Sequence, residues 1–124
     1  MPRAARRLPA PTNMPDPSRI EEMHAHAGDA AELLKVLGNE QRLLILCNLL
    51  GQSLSVGDLN ARLDLSQSAL SQHLALLREA GLVETRREAQ SIYYSLPAGP
   101  VTWVMAVLQD IYCNGRPLSA RRSR

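Results

Sequence analysis

Residues 66–81, SQSALSQHLALLREAG, restrict the possible fold more than any other stretch of the chain. Leu70, Leu74 and Leu77 recur at i, i+4 and i+7, which places them on one narrow stripe of a helix. Ser66 suits an N-cap, because its hydroxyl can accept a hydrogen bond from a first-turn N–H. Gly81 is a stop signal at the other end. Gln67, Ser68, Ser71, Gln72, Ala75 and Arg78 fall mainly on the opposite face. A helix with so thin an apolar edge is braced by neighbours on one side only. Its other side offers small and amide side chains.

The flanking segments give this helix a context. Ser55, with Asp58 three residues on, matches a capping pair, and Val56, Leu59 and Leu63 are expected to face inward from a short helix. A short helix, a three- or four-residue turn and a second capped helix make a helix-turn-helix. In that unit the second helix enters the major groove of DNA, with its N-terminal residues against base edges. Bulky side chains there would hold the helix out; Gln67, Ser68, Ser71 and Gln72 would not. Gln can pair with adenine through both amide atoms, and Ser can bond a base or a phosphate. The helix N-terminus at Ser66 also suits a phosphate.

After Gly81 the period changes. Val83 and Thr85, then Ile92, Tyr94 and Leu96, alternate with polar residues as in strands, and Glu88-Ala89-Gln90 fits a hairpin turn. Beside a helix-turn-helix such a hairpin is a wing. Arg86, Arg87 and Gln90 are its candidate contacts to backbone or minor groove, with Arg62 and Arg78 as weaker phosphate candidates. For each arginine the plain alternative is a solvated surface charge.

Other helices complete the reading. Ser18, with Glu21 three residues on, is expected to cap a helix over 18–37, along which Ile20, Met23, Ala27, Ala30, Ala31, Leu34 and Leu37 keep helical spacing. Asn39 caps the next, where Leu43, Leu44, Leu46, Cys47 and Leu50 form a wide apolar face closed by Gly51. Pro97 and Pro100 open a last helix lined by Val101, Val104, Val107, Leu108 and Ile111 and ended by Gly115. The fold class is mainly α with a small β-hairpin, in the order helix-helix-helix-helix-strand-strand-helix. With no Phe, one Trp and three Tyr in 124 residues, the core must be aliphatic.

Charge narrows the DNA reading. Residues 18–114 hold 7 basic and 11 acidic side chains, so any DNA contact comes from a local patch. The arginines cluster outside: Arg3, Arg6 and Arg7 in residues 1–17, and Arg116, Arg121, Arg122 and Arg124 in residues 115–124. Residues 1–17 also hold five of the eight prolines and are expected to be a disordered arm; 115–124 form a basic tail. There is no signal-peptide pattern and no membrane-length apolar run, which predicts a cytoplasmic chain with reduced thiols. Catalytic and cofactor signatures are missing: no Gly-rich phosphate loop, no H-E-x-x-H, no telling carboxylate pair, no nucleophile motif. The function classes left are a DNA-binding regulator or, less simply, a protein-interaction module.

LLKVLGNEQRLLIL, SVGDL, LSQSALSQHLALLREAGLVETRR and SIYYSL together resemble the ArsR/SmtB family of winged helix-turn-helix repressors, over about residues 28–114. The resemblance implies a homodimer joined through the first and last helices and bound to an inverted-repeat operator in double-stranded DNA. The folded unit, 18–114, would then carry both DNA binding and dimerisation.

The inducer is a separate question. The family's paired-cysteine motif, similar to ELCVCDL, aligns here with SLSVGDL, so Ser55 and Gly57 stand where two thiols would be. The last helix has Asp110 but no His, which departs from the family's other zinc site. His24 and His26, two apart, point to different sides of a helix, and His73 sits at the buried edge of the recognition helix. No metal set is therefore expected. The placement of Cys47 in LLILCNLL and Cys113 in LQDIYCNG is similar to the BigR-like, sulfide- and redox-responsive branch. That resemblance implies that an oxidant or reactive sulfur species links the pair and releases DNA. Two alternatives stay open: Cys47 as a small core filler, and a metal- or metalloid-responsive repressor using the same thiols.

Overall fold

The computed structural model describes residues 15–114. The Arg-rich parts of the N-terminal arm, the basic tail and the expected stop at Gly115 lie outside the described residues. The chain divides into two units, one spanning residues Asp16–Pro97 and one holding the segment from Ala98 onward.

In the first unit, a 3-10 turn at Pro17–Arg19 leads into α1 (Ile20–Leu37), followed by α2 (Glu40–Asn48), β1 (Leu54–Ser55), α3 (Val56–Arg62), α4 (Gln67–Glu79), β2 (Glu84–Glu88) and β3 (Ser91–Ser95). The three strands form an antiparallel sheet in the order β1-β3-β2. The fold is the expected winged helix-turn-helix, with one addition. The two-residue strand β1, which pairs Leu54 with Tyr94 and Ser55 with Tyr93, was not anticipated. Two residues are too few to show alternation; only the partner strand makes them a strand.

The helix ends follow local chemistry. Asn39 Oδ1 accepts from the Arg42 N–H at 3.0 Å, so Asn39 caps α2 as expected. Arg42 also turns back, donating from Nε to the Val36 carbonyl at 2.6 Å. A cation there meets the negative end of α1 and fills one of its orphan carbonyls. The expected Ser18 cap is a correction: α1 begins after Arg19 without a side-chain cap, and Asp16, two residues before Ser18, instead caps the 3-10 turn that leads into it, accepting from the Ser18 N–H at 2.9 Å, with Pro17 opening the turn. The bonds from the Ser18 backbone, then its hydroxyl, hold the Asp16 carboxyl below the usual carboxylate range. That cap is therefore in place at neutral pH and is lost as acid titrates the carboxylate.

The core of this unit is aliphatic. Ile45 and Leu46 of α2, Leu49 just past its end, Leu70, Leu74 and Leu77 of α4, Leu59 of α3 and Leu37 of α1 are all buried, and α2 packs on α1 and α4 while α3 packs on α4. Leu54, Leu82 and Val83 close the end where the sheet starts. The face expected on α2 needs correcting: Leu44 and Cys47 are exposed, and Ile45 and Leu49 take their place. The helix packs on α1 and α4 through one stripe, and it carries more apolar residues than that stripe can bury.

The second unit contains α5 (Pro100–Cys113), entered through Gly99. Its buried residues are Val101 and Met105. Val107, expected on the inward side, is 42% exposed, and Trp103 one turn earlier is also exposed. No helix among the described residues is long and apolar enough to cross a membrane.

Candidate nucleic-acid interface

Each part of the helix-turn-helix is set by a local device. Ser55 Oγ accepts from the Asp58 N–H while the Asp58 carboxylate accepts from the Ser55 N–H, both at 3.1 Å, a reciprocal cap that starts α3. The Ser55 hydroxyl is thus committed to capping. Asn60 Nδ2 donates to the Leu65 carbonyl at 2.9 Å and fixes the turn between the two helices. Asn60 was missed in the sequence, where a polar residue in a short helix gives no sign of its partner. Ser66 Oγ accepts from the Ala69 N–H at 3.1 Å and caps α4.

Behind α4, Leu70, Leu74 and Leu77 are at most 1% exposed, and His73 lies half-buried at the edge. That anchoring leaves Gln67, Ser68, Ser71 and Gln72 exposed on one continuous arc over the first turns. The structure therefore brings these four together. At the C-terminal end, Gly81 adopts φ +77, and the N–H groups of Gly81 and Leu82 return to the carbonyls of Arg78 and Leu77 at 3.0 and 2.9 Å. This Schellman closure turns the chain into β2.

The wing is a hairpin with a two-residue connection, Ala89-Gln90, in which Ala89 has φ 58. Gln90 is exposed at its tip. In register, Arg86 lies opposite Tyr93 and Arg87 opposite Ile92. Successive residues on a strand point to opposite faces, so the structure does not bring the two arginines to one surface. Thr85 and Tyr94 share the face of Arg87, and Tyr94 joins Ser71, Ala75, Arg78 and Glu79 in lining an open groove of about 530 Å³ beside α4. Arg62 is exposed at the end of α3.

The cysteines are in different units. Cys47 is exposed on α2, one turn from exposed Leu44, and Cys113 is exposed as the last residue of α5. The core-filler alternative for Cys47 is a correction: its helix turns it away from the buried stripe. His24 and His26 are exposed on α1. Among the described residues, no three His, Cys, Asp or Glu side chains gather in metal-binding geometry.

A capped helix with an amide and hydroxyl face, braced on leucines and flanked by a wing, is a DNA-reading arrangement. Residues 39–85 match the family described as bacterial regulatory protein, arsR family. The chain is 52% identical to the transcriptional activator HlyU of Vibrio cholerae over 97 residues, which cover 78% of this chain and 90% of that one. The chain belongs to the ArsR family. A solved structure of reduced HlyU from Vibrio cholerae superposes with a TM-score of 0.70 at 53% identity, covering 75% of this chain and 98% of the other. The transcriptional repressor BigR from Xylella fastidiosa superposes with a TM-score of 0.69 at 36% identity, covering 81% and 99%. As an ArsR-family member the chain is a DNA-binding transcription regulator and not an enzyme.

Proposed function

We propose that this regulator is a repressor that binds an inverted-repeat operator as a homodimer and lets go when Cys47 and Cys113 become linked. The observation that carries the DNA part is the exposed arc Gln67, Ser68, Ser71 and Gln72 on a helix held rigid from behind. These four read bases, and the wing and Gln90 add contacts to the sugar-phosphate backbone or minor groove. Dimerisation through the first and last helices is supported by apolar side chains on α1 and α5 that the chain leaves uncovered, among them Leu34 and Trp103. Repression rather than activation follows the likeness to BigR; HlyU carries the opposite description.

The release step is thiol chemistry. The thiolate is the reacting form, and it must be reachable. Both cysteines are exposed, which supports access by a small sulfur donor. One thiolate attacks the outer sulfur of a persulfide, R–S–SH, and R–SH leaves. The second thiolate then attacks the protein-bound sulfur of the new persulfide and expels hydrogen sulfide, leaving a disulfide.

The test is an operator-shift titration with persulfide, peroxide, zinc and arsenite in parallel, with intact mass read on every sample. The expected result is release by persulfide or peroxide with a matching mass change, and its loss in Cys47→Ser and in Cys113→Ser, both of which still bind operator. Release that survives in both single variants overturns the switch. Release by zinc or arsenite alone favours a metal- or metalloid-responsive repressor.

A further inference from the structure

The sequence presents Arg86 and Arg87 as two equivalent wing cations; the fold separates them. The Arg86 guanidinium is half-exposed, and both of its Nη atoms contact groups of the protein. One Nη donates to Glu88 Oε1 at 3.2 Å and the other makes a longer contact to Ser53 Oγ at 3.4 Å. Its Cζ lies over the Tyr93 ring, 5.3 Å from the centroid. Tyr93 in turn is the register partner of Ser55 on β1. Ser55, Tyr93 and Arg86 thus form one row across all three strands, on one face of the sheet. Ser53 and Ser55 lie just before α3, with Ser55 its N-cap, so this row ties the wing to the entry of the first helix of the helix-turn-helix.

Arg87 stands differently. It is exposed, on the sheet face it shares with Tyr94, and Tyr94 borders the groove beside the exposed side of α4. No side-chain hydrogen bond or ion pair involves Arg87 among the described residues. A duplex lying on α4 meets that face of the wing. On the other face, a phosphate approaching Arg86 also meets the like-charged Glu88 carboxylate, which opposes its approach.

We propose that Arg87 is the wing's phosphate-binding residue, and that Arg86 is a positioning residue that holds the wing at its angle to the helix-turn-helix through Tyr93, Glu88 and Ser53. The proposal rests on the DNA-binding reading above. It deepens that reading by assigning unequal roles to two adjacent arginines.

The two roles differ in a measurable way. A side chain that neutralises a phosphate releases counterions, and each such contact contributes about 0.9 to the slope of log Kobs against log salt. A positioning residue changes affinity without changing that slope. Substitution by lysine separates them again, because an ammonium still binds phosphate as a point charge but loses the planar fork that can stack on Tyr93 while bonding two acceptors.

The experiment measures operator affinity from low to moderate salt for wild type, Arg86→Gln, Arg86→Lys, Arg87→Gln and Arg87→Lys. Hydrogen exchange of the residue 53–55 and 84–95 amides is followed in the free proteins. Arg87→Gln is expected to flatten the slope by about one unit, with Arg87→Lys close to wild type and exchange unchanged. Both Arg86 variants are expected to weaken binding several-fold at unchanged slope, with faster exchange in the wing and at Ser53. A slope loss of about one unit in Arg86→Gln, restored by Arg86→Lys, overturns the assignment; so does unchanged exchange in both Arg86 variants. Should wild type bind no operator at any salt, the functional reading fails. The exchange data then still decide whether Arg86 braces the wing.

Discussion

At the scale of single residues, position and exposure separate the groups proposed to read DNA from those that hold the helix in place. Gln72 is exposed on the first turns of α4, on the same arc as Ser68 and far around the helix from Leu70 and Leu74. Truncating it removes an amide able to pair with adenine and disturbs no packing. Gln72→Ala is expected to lower operator affinity by about 1–3 kcal/mol. Non-specific affinity at the same salt and the thermal midpoint should stay near wild type. Competition binding with operator and scrambled duplexes, beside a melting curve, checks this; operator affinity equal to wild type removes Gln72 from the reading set. The Gln and Ser face was legible in the sequence because it depends only on helical period and a cap. The unequal surroundings of Arg86 and Arg87 were not, since Ser53 lies 33 residues from Arg86 and only the sheet brings them together. Cys47 shows the same limit. Its neighbours are apolar in sequence, but which stripe of α2 is buried was decided by α1 and α4.

At the scale of elements, the junction between recognition helix and wing rests on Gly81. With φ +77 it sits in the left-handed region, where a Cβ collides with its own backbone; no other atom lies within 4 Å of the Cβ position. The cost of a side chain there is therefore conformational rather than a clash with neighbours. Gly81→Ala is expected to destabilise by about 1 kcal/mol, the left-handed penalty less the entropy that glycine loses on folding. Urea unfolding should show a lower midpoint at unchanged slope, and a midpoint equal to wild type would remove the junction from the account. Because Leu82 and Val83 are buried just beyond the turn, the same glycine sets where β2 departs. The stop signal at Gly81 and the caps at Asn39, Ser55 and Ser66 were readable in advance, since each bond spans only a few residues. β1 and the start of α1 were not. The first exists only through β3, and at the second an Asp-Pro-Ser turn competes with the serine cap and wins.

At the scale of the whole molecule, the apolar surface left on α1 and α5 calls for a partner. Ile20, Met23 and Leu34 lie on one face of α1 and are each more than half exposed. Trp103 and Val107 form a second exposed apolar strip on α5. Apolar area costs about 25 cal/mol per Å² while it remains in water, so a second copy that covers these strips stabilises both chains. A folded state held by association melts at a temperature that rises with protein concentration. Leu34→Glu places a charge inside the proposed contact. It is expected to shift sedimentation from dimer toward monomer and to remove the concentration dependence of melting. Specific DNA binding should fall with it, because one protomer spans only one half-site, whereas non-specific binding should change little. Ile92→Glu is the control: it alters an exposed side chain of similar character on the wing, on neither α1 nor α5, and should leave association intact. If Leu34→Glu sediments as wild type while Ile92→Glu dissociates, the contact runs through the sheet rather than the first and last helices. The wing would then be buried between protomers and out of reach of DNA.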